Sequence, residues 1–311
     1  MNYRFVKFFP LLTGIFWGTS YVSTKYALID FSPMVIAAWR AVFAYLVLVI
    51  FYLLLGKREY LKPKTQDLGI IALLSLTGTI SFWLLMNLSL QYTTTTNSAL
   101  LVTSHPLFVI LLSPLIIKET ITRREWVGLL VGLIGSYLVI TQGQITGLFQ
   151  SQTLQGDAIA LGAGLSFGLH VLFSRKYTRK LQPGYLTVNV FGFGALVLIP
   201  LSIVTGNSLA IWHGTGLAIT SVIWLGLICS AVAFLLLLTA LERTRAASAS
   251  LLFFIAPVVA AISAYFLLKE QISLGTIVGG LFICVGILVT VINKKSVRPS
   301  EKQVDNQVLS E

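Results

Sequence analysis

Four ionisable side chains, Lys25, Arg40, His105 and His170, stand inside long apolar runs. Such groups are costly in hydrocarbon and face a bundle interior or a water-filled cavity. Arg40 lies seven residues from one end of its run, a depth of roughly 10 Å at helical rise. A guanidinium there can attract a carboxylate or pair with a gating residue; the alternative is a structural cation bonded to backbone carbonyls. His105 precedes Pro106 and shares a helix face with Leu101 and Asn97 at four-residue spacing. Its imidazole could hold a solute or carry a coupling proton near neutrality, or be a histidine satisfied between helices. Pro106 removes a backbone donor and should bend the helix, freeing carbonyls toward a cavity. His170 shares a face with Ser166 and Ser174 and carries a weaker version of the same choice. Lys25 could snorkel to headgroups or stand at a cavity mouth.

Aromatic and amide side chains form a second layer. Trp17, Tyr21 and Lys25 share one helical face, as do Thr79, Trp83 and Asn87, and Tyr185, Asn189 and Phe193. A mostly apolar wall with a few polar groups suits a small amphipathic solute. Interface anchoring of rings and helix–helix hydrogen bonding of amides are the competing explanations. The candidate solute-binding set is therefore Trp17, Tyr21, Arg40, Trp83, Asn87, Asn97, His105, His170 and Asn189.

The elements that must position these groups are membrane spans. Of 311 residues, 56% are hydrophobic and only 11% are charged, with a mean hydropathy of +0.87. An ordinary soluble domain carries roughly 25% charged residues, so a soluble enzyme or binding module is excluded. Runs of spanning length occur at about 8–29, 33–55, 68–90, 96–117, 124–141, 156–176, 184–205, 216–239, 245–267 and 273–292. The first reads as a retained span, since it exceeds a signal-peptide core and shows no small-residue cleavage site.

The net charge of +11 tracks this division. Nineteen of the 22 Lys and Arg residues fall in alternate gaps, the other gaps holding only Lys269. The positive-inside rule then places both termini in the cytoplasm and the chain in a cell membrane. Basic residues confined to short gaps give no nucleic-acid patch. The segment 293–311 reads as a polar cytoplasmic tail.

The chain also resembles itself. At a shift of 151, Pro106 falls on Pro257, Lys118-Glu119 on Lys269-Glu270, Gly128 on Gly279 and Gly135 on Gly286. At a shift of 150, Gly14, Trp17, Gly18 and Lys25 fall on Gly164, Phe167, Gly168 and Arg175. Spans 1–5 (residues 1–146) thus pair with spans 6–10 (147–292). Five is odd, so the halves should be inverted about an axis in the membrane plane, with a solute site near the midplane.

Trp17-Gly18, Pro33 with Arg40, the stretch from Tyr92 through Pro106 to Glu119, and the later Pro257–Gly286 copy together resemble the EamA family of the drug/metabolite transporter superfamily. The resemblance covers about residues 8–292. It implies an all-α membrane fold of ten helices in two inverted five-helix bundles around a central cavity. It also implies movement of small metabolites such as amino acids, usually outward, by alternating access. A nucleotide-sugar or phosphate-ester carrier is the alternative, and would want several cavity cations.

Glu119 and Glu270 read as helix-end contacts. The stripes Gly128, Gly132, Gly135 and Gly279, Gly280, Gly286 suit close packing within the bundle or in a homodimer. Cys229 and Cys284 sit in apolar runs as packing residues. No phosphate loop, metal-ligand spacing or hydrolytic triad is present, so neither a cofactor nor catalysis is expected, and an intramembrane enzyme would lack its reactive groups. The acidic residues lie in loops, tails or span ends, leaving His105 as the better candidate for proton coupling.

Overall fold

The structure is a computed structural model that describes residues 9–117, 122–143, 153–177, 181–236 and 252–291. Lys118 and Glu119, Gln144 and most of the loop around it, Arg179, Lys180, Arg243, Arg245 and the 293–311 tail lie outside the described residues. Among the described residues every regular element is helical. In chain order these are α1 (Phe9–Ala27), α2 (Pro33–Leu54), α3 (Leu68–Ser75), α4 (Phe82–Tyr92), α5 (Thr95–Thr103), α6 (His105–Ile116) and α7 (Arg123–Thr141). Beyond them come α8 (Leu154–Tyr177), α9 (Pro183–Val204), α10 (Gly216–Gly226), α11 (Leu252–Ser263) and α12 (Leu274–Val291). Among the described residues seven helical stretches are long and apolar enough to cross a membrane, and Ile255–Leu268 and Leu274–Gly286 are shorter apolar helices.

Helix starts obey their sequences. Ser32 caps α2, its hydroxyl accepting from Val35 N, and Pro33 fills a first-turn position that needs no donor. Thr122 and Glu125 form a reciprocal capping box on α7. Thr94 caps α5, and the Glu270 carboxylate reaches across to accept from Thr95 N and Thr96 N. Glu270 is therefore a helix-end contact, placing negative charge where exposed N–H groups and the helix dipole favour it.

The expected bend near Pro106 is a break two residues earlier. Thr103 ends α5 and His105 begins α6, with Ser104 between them. Pro106 has no N–H to give Val102 O, four residues back. That carbonyl instead accepts from His105 Nδ1 at 3.2 Å, while the Ser104 N–H donates to Leu101 O.

Three π-helical turns among the described residues were not anticipated; Ala264–Leu268 ends α11, and the other two pair across the repeat. Leu76–Ser81 joins α3 to α4 as a π-helical turn, and Leu227–Val232 extends α10 as another. They stand 151 residues apart, the shift of the sequence repeat. A π turn inserts a residue and rotates the helix beyond it relative to the helix before it.

Packing repeats the same register. A Cβ on Gly18 would lie 2.7 Å from Ala256 O, and one on Gly168 would lie 3.2 Å from His105 O. Gly18 maps to Gly168 and His105 to Ala256, so the two contacts are copies exchanged between halves. The α7–α12 seam behaves alike: a Cβ on Gly279 would meet Gly135 O at 2.7 Å, and one on Gly286 would meet Gly128 O at 2.6 Å. Reciprocal contacts of this kind are the signature of a two-fold relation.

Candidate functional site

A cavity lies where the paired π turns and the Ser104 break converge. It is narrow, and the roughly 530 Å³ that protein atoms leave unfilled there includes its open mouth. From the first half α1 supplies Trp17, Ser20 and Tyr21, α2 supplies Arg40, and α4 supplies Phe82 and Trp83. Val102, Thr103 and His105 come from the broken helix. Phe167 on α8, Phe234 just beyond the second π turn and Ala256 on α11 complete the wall.

Arg40 is 3% exposed. Its Nε donates to Ser230 Oγ at 2.8 Å, and its guanidinium carbon sits 4.4 Å from the Trp83 ring centroid. Nη1 is buried and has no hydrogen-bond partner among the described residues. Ser230 lies inside the second π turn and donates its own hydroxyl proton to Leu225 O, five residues back, at 2.9 Å. The widened turn thus brings a hydroxyl from the second half to the cation of the first. The repeat maps Ser230 to Thr79 and Arg40 to Phe191. Phe191 stacks on Trp83 with centroids 5.4 Å apart, and the buried Thr79 hydroxyl has no hydrogen-bond partner among the described residues. The halves share a scaffold, and the cation occupies one copy only.

Rings close the cavity. Trp17 meets Phe167 edge-on at 6.2 Å and Phe234 at 5.7 Å; Phe82 lies 4.7 Å from Phe167. His105 meets Phe167 edge-on at 4.8 Å. Because a carbonyl can only accept, the contact with Val102 O makes Nδ1 the protonated nitrogen and Nε2 the acceptor of the neutral ring.

Five of the nine sequence candidates meet here: Trp17, Tyr21, Arg40, Trp83 and His105. The other four have partners elsewhere. Asn87 donates to Pro33 O at 3.1 Å, and Asn189 to Tyr60 O and Tyr185 O. His170 Nδ1 is 3.0 Å from Leu74 O, with its ring stacked on Phe167. Asn97 bridges α8 and α12, donating to Asp157 and accepting from Thr276.

Asp157 is a fully buried carboxylate that sequence reasoning left among the span ends. It accepts from Thr93, Asn97 and Thr153. Beside it Lys25 Nζ donates to Thr93 O at 2.9 Å, at the carboxyl end of α4, where a cation suits the helix dipole. With Glu270 on α5, these groups tie one end of α1, α4, α5, α8 and α12 together. Their signal in sequence was the Thr93–Asn97 polar run.

A many-span helical bundle with a doubled sequence pattern, and a cavity walled by both copies, suits a membrane transporter. The chain belongs to the EamA-like transporter family, which it matches twice, at residues 5–141 and 154–292. It is similar to an uncharacterized transporter of Archaeoglobus fulgidus, 25% identical over 90% of this chain and 94% of that one. An uncharacterized transporter of Clostridium kluyveri is 28% identical over 94% and 95% of the two chains. YyaM of Bacillus subtilis, also an uncharacterized transporter, is 26% identical over 92% and 93%. One solved crystal structure shares the fold, with a TM-score of 0.66 and 16% identity across 93% of this chain and 97% of that chain.

Proposed function

We propose that the protein is a secondary transporter that exports small amphipathic metabolites, amino acids or related compounds among them, across the cell membrane. The observation that carries this reading is the cavity itself: rings from both halves around a single buried guanidinium. Ten spans with both termini in the cytoplasm would place the cavity near the bilayer midplane. Rocking of the two inverted halves would then open it to each side in turn. Arg40 is the one Lys or Arg among the described lining residues, which favours this reading over a carrier of nucleotide sugars or phosphate esters. The test is a solute screen in proteoliposomes across amino acids, nucleobases and apolar organic acids, with and without a pH gradient. Protein-dependent movement of one class supports the reading; movement of none by a monodisperse, reconstituted protein contradicts it.

His105 is the residue proposed to link the cavity to protons. His105→Phe keeps the ring against Phe167 but removes both nitrogens, including one donor to Val102 O. Transport should slow by about tenfold or more, as for loss of a modest proton-transfer group, and its pH profile should flatten. An unchanged rate and pH profile in a folded variant would assign the imidazole to structure.

A further inference from the structure

We infer that the cargo is an organic monoanion, a carboxylate on an apolar or aromatic body, whose one negative charge is matched by Arg40. This rests on the transporter reading above and, within its range of amphipathic metabolites, favours organic acids over amino acids.

The charge balance of the cavity carries the inference. A buried cation normally persists because an acid pairs with it, since a lone charge is expensive to desolvate. Arg40 is at least nine-tenths buried, and no acidic side chain pairs with it among the described residues. Its stabilisation comes from one hydroxyl, Ser230, and one ring face, Trp83. Both are neutral. One guanidinium nitrogen, Nη1, has no acceptor among the described residues. A carboxylate is the group that matches a guanidinium edge in charge and planar shape.

The rest of the wall sets the body of the ligand. Trp17, Phe82, Phe167 and Phe234 present carbon surface, and the polar groups beside them are the hydroxyls of Ser20, Tyr21 and Thr103 and the imidazole of His105, none of them an anion. A phosphate ester would bring two negative charges to one cation and leave the second unpaired in an aromatic cage. A cationic amine would meet Arg40 as a like charge. A zwitterion could place its carboxylate on Arg40, but its ammonium would be desolvated against hydroxyls, an imidazole and ring faces, with no carboxylate among the described lining residues to balance its charge. The asymmetry between halves points the same way. Where the repeat would place a second Arg40 stands Phe191, so the site is built for one negative charge.

The experiment uses the full chain in detergent and four ligands that share a phenyl body: 3-phenylpropionate, phenylalanine, phenethylamine and 3-phenylpropan-1-ol. Calorimetric titration at neutral pH should show 3-phenylpropionate binding at least about tenfold tighter than each of the others, the gain expected of a charge-assisted hydrogen bond. Arg40→Gln should bring the acid to the affinity of the alcohol, and Arg40→Lys should keep part of the preference. If Arg40→Gln does not fold, the ligand series on the unaltered protein decides alone. Equal or tighter binding of phenylalanine, the amine or the alcohol overturns the monoanion assignment and leaves the transporter reading standing. Failure of all four to bind, together with no exchange of any of them across proteoliposomes, overturns both.

Discussion

Replacing Arg40 with glutamine should lower transport efficiency for an anionic cargo by about 10- to 150-fold, the value of one hydrogen bond to a charged group. The loss should appear without aggregation. Glutamine is shorter and neutral, can still donate toward Ser230, and relieves the protein of an unpaired buried cation. The variant should therefore be as stable as the parent or more so. That combination, weaker function with undiminished stability, separates a cargo-binding cation from a structural one. A structural guanidinium would lower the thermal midpoint when removed and leave the efficiency of the remaining folded protein unchanged. Arg40→Lys should fall between, since an ammonium keeps the charge and loses the planar fork over Trp83. Initial rates in proteoliposomes and thermal unfolding of the same preparations make the comparison.

The second large effect is on assembly of the halves. Gly279→Leu should lower stability by about 1–3 kcal/mol or more, because overpacking here has nowhere to relax. Its first side-chain carbon would lie 2.7 Å from Gly135 O and 2.8 Å from Val139 N, both backbone atoms of α7. In a membrane the seam gains little from the hydrophobic effect and depends on this close approach. Gly135→Leu should cost about as much, because its own Cβ would press on the backbone of α12 at the same crossing, 2.7 Å from Gly279 O. The double variant should cost less than the sum, since both changes open one seam. Gly69→Leu is the control: nothing lies within 4 Å of a Cβ there. Thermal unfolding in one detergent decides, and a Gly279→Leu midpoint equal to that of Gly69→Leu would contradict the seam.

Much of the architecture was readable in the chain. Apolar run lengths located the helices, and the match of Gly18 to Gly168 at a shift of 150 has a counterpart in the contacts of Gly18 with α11 and Gly168 with α6. The cavity was only partly readable, for a physical reason. A helix inside a membrane bundle is apolar nearly all round, so periodicity does not say which side faces a cavity and which a neighbour. Asn87, Asn189 and His170 had the residue types of a binding wall, and each bonds a backbone carbonyl of another segment. The π turns hid more. They rotate Trp83 and Ser230 relative to residues one turn earlier, and nothing in Leu76–Ser81 or Leu227–Val232 announces the extra residue. The repeat did hold one unused clue: the 151-residue shift carries Trp83 onto Phe234 and Thr79 onto Ser230, so the second half of the cavity could have been found from the first.

Alternating access of this cavity is the central claim, and a cysteine at Thr103 tests it most directly. Thr103 lines the cavity beside the Ser104 break, and a thiol there is close in size to the hydroxyl and methyl it replaces. In a background with Cys229 and Cys284 replaced by alanine, a membrane-impermeant thiol reagent should label Thr103→Cys when applied from either side of the membrane, and a bound cargo should slow labelling from both. Labelling from one side only, or from both sides at rates that no solute alters, would contradict a central site opened to each face in turn.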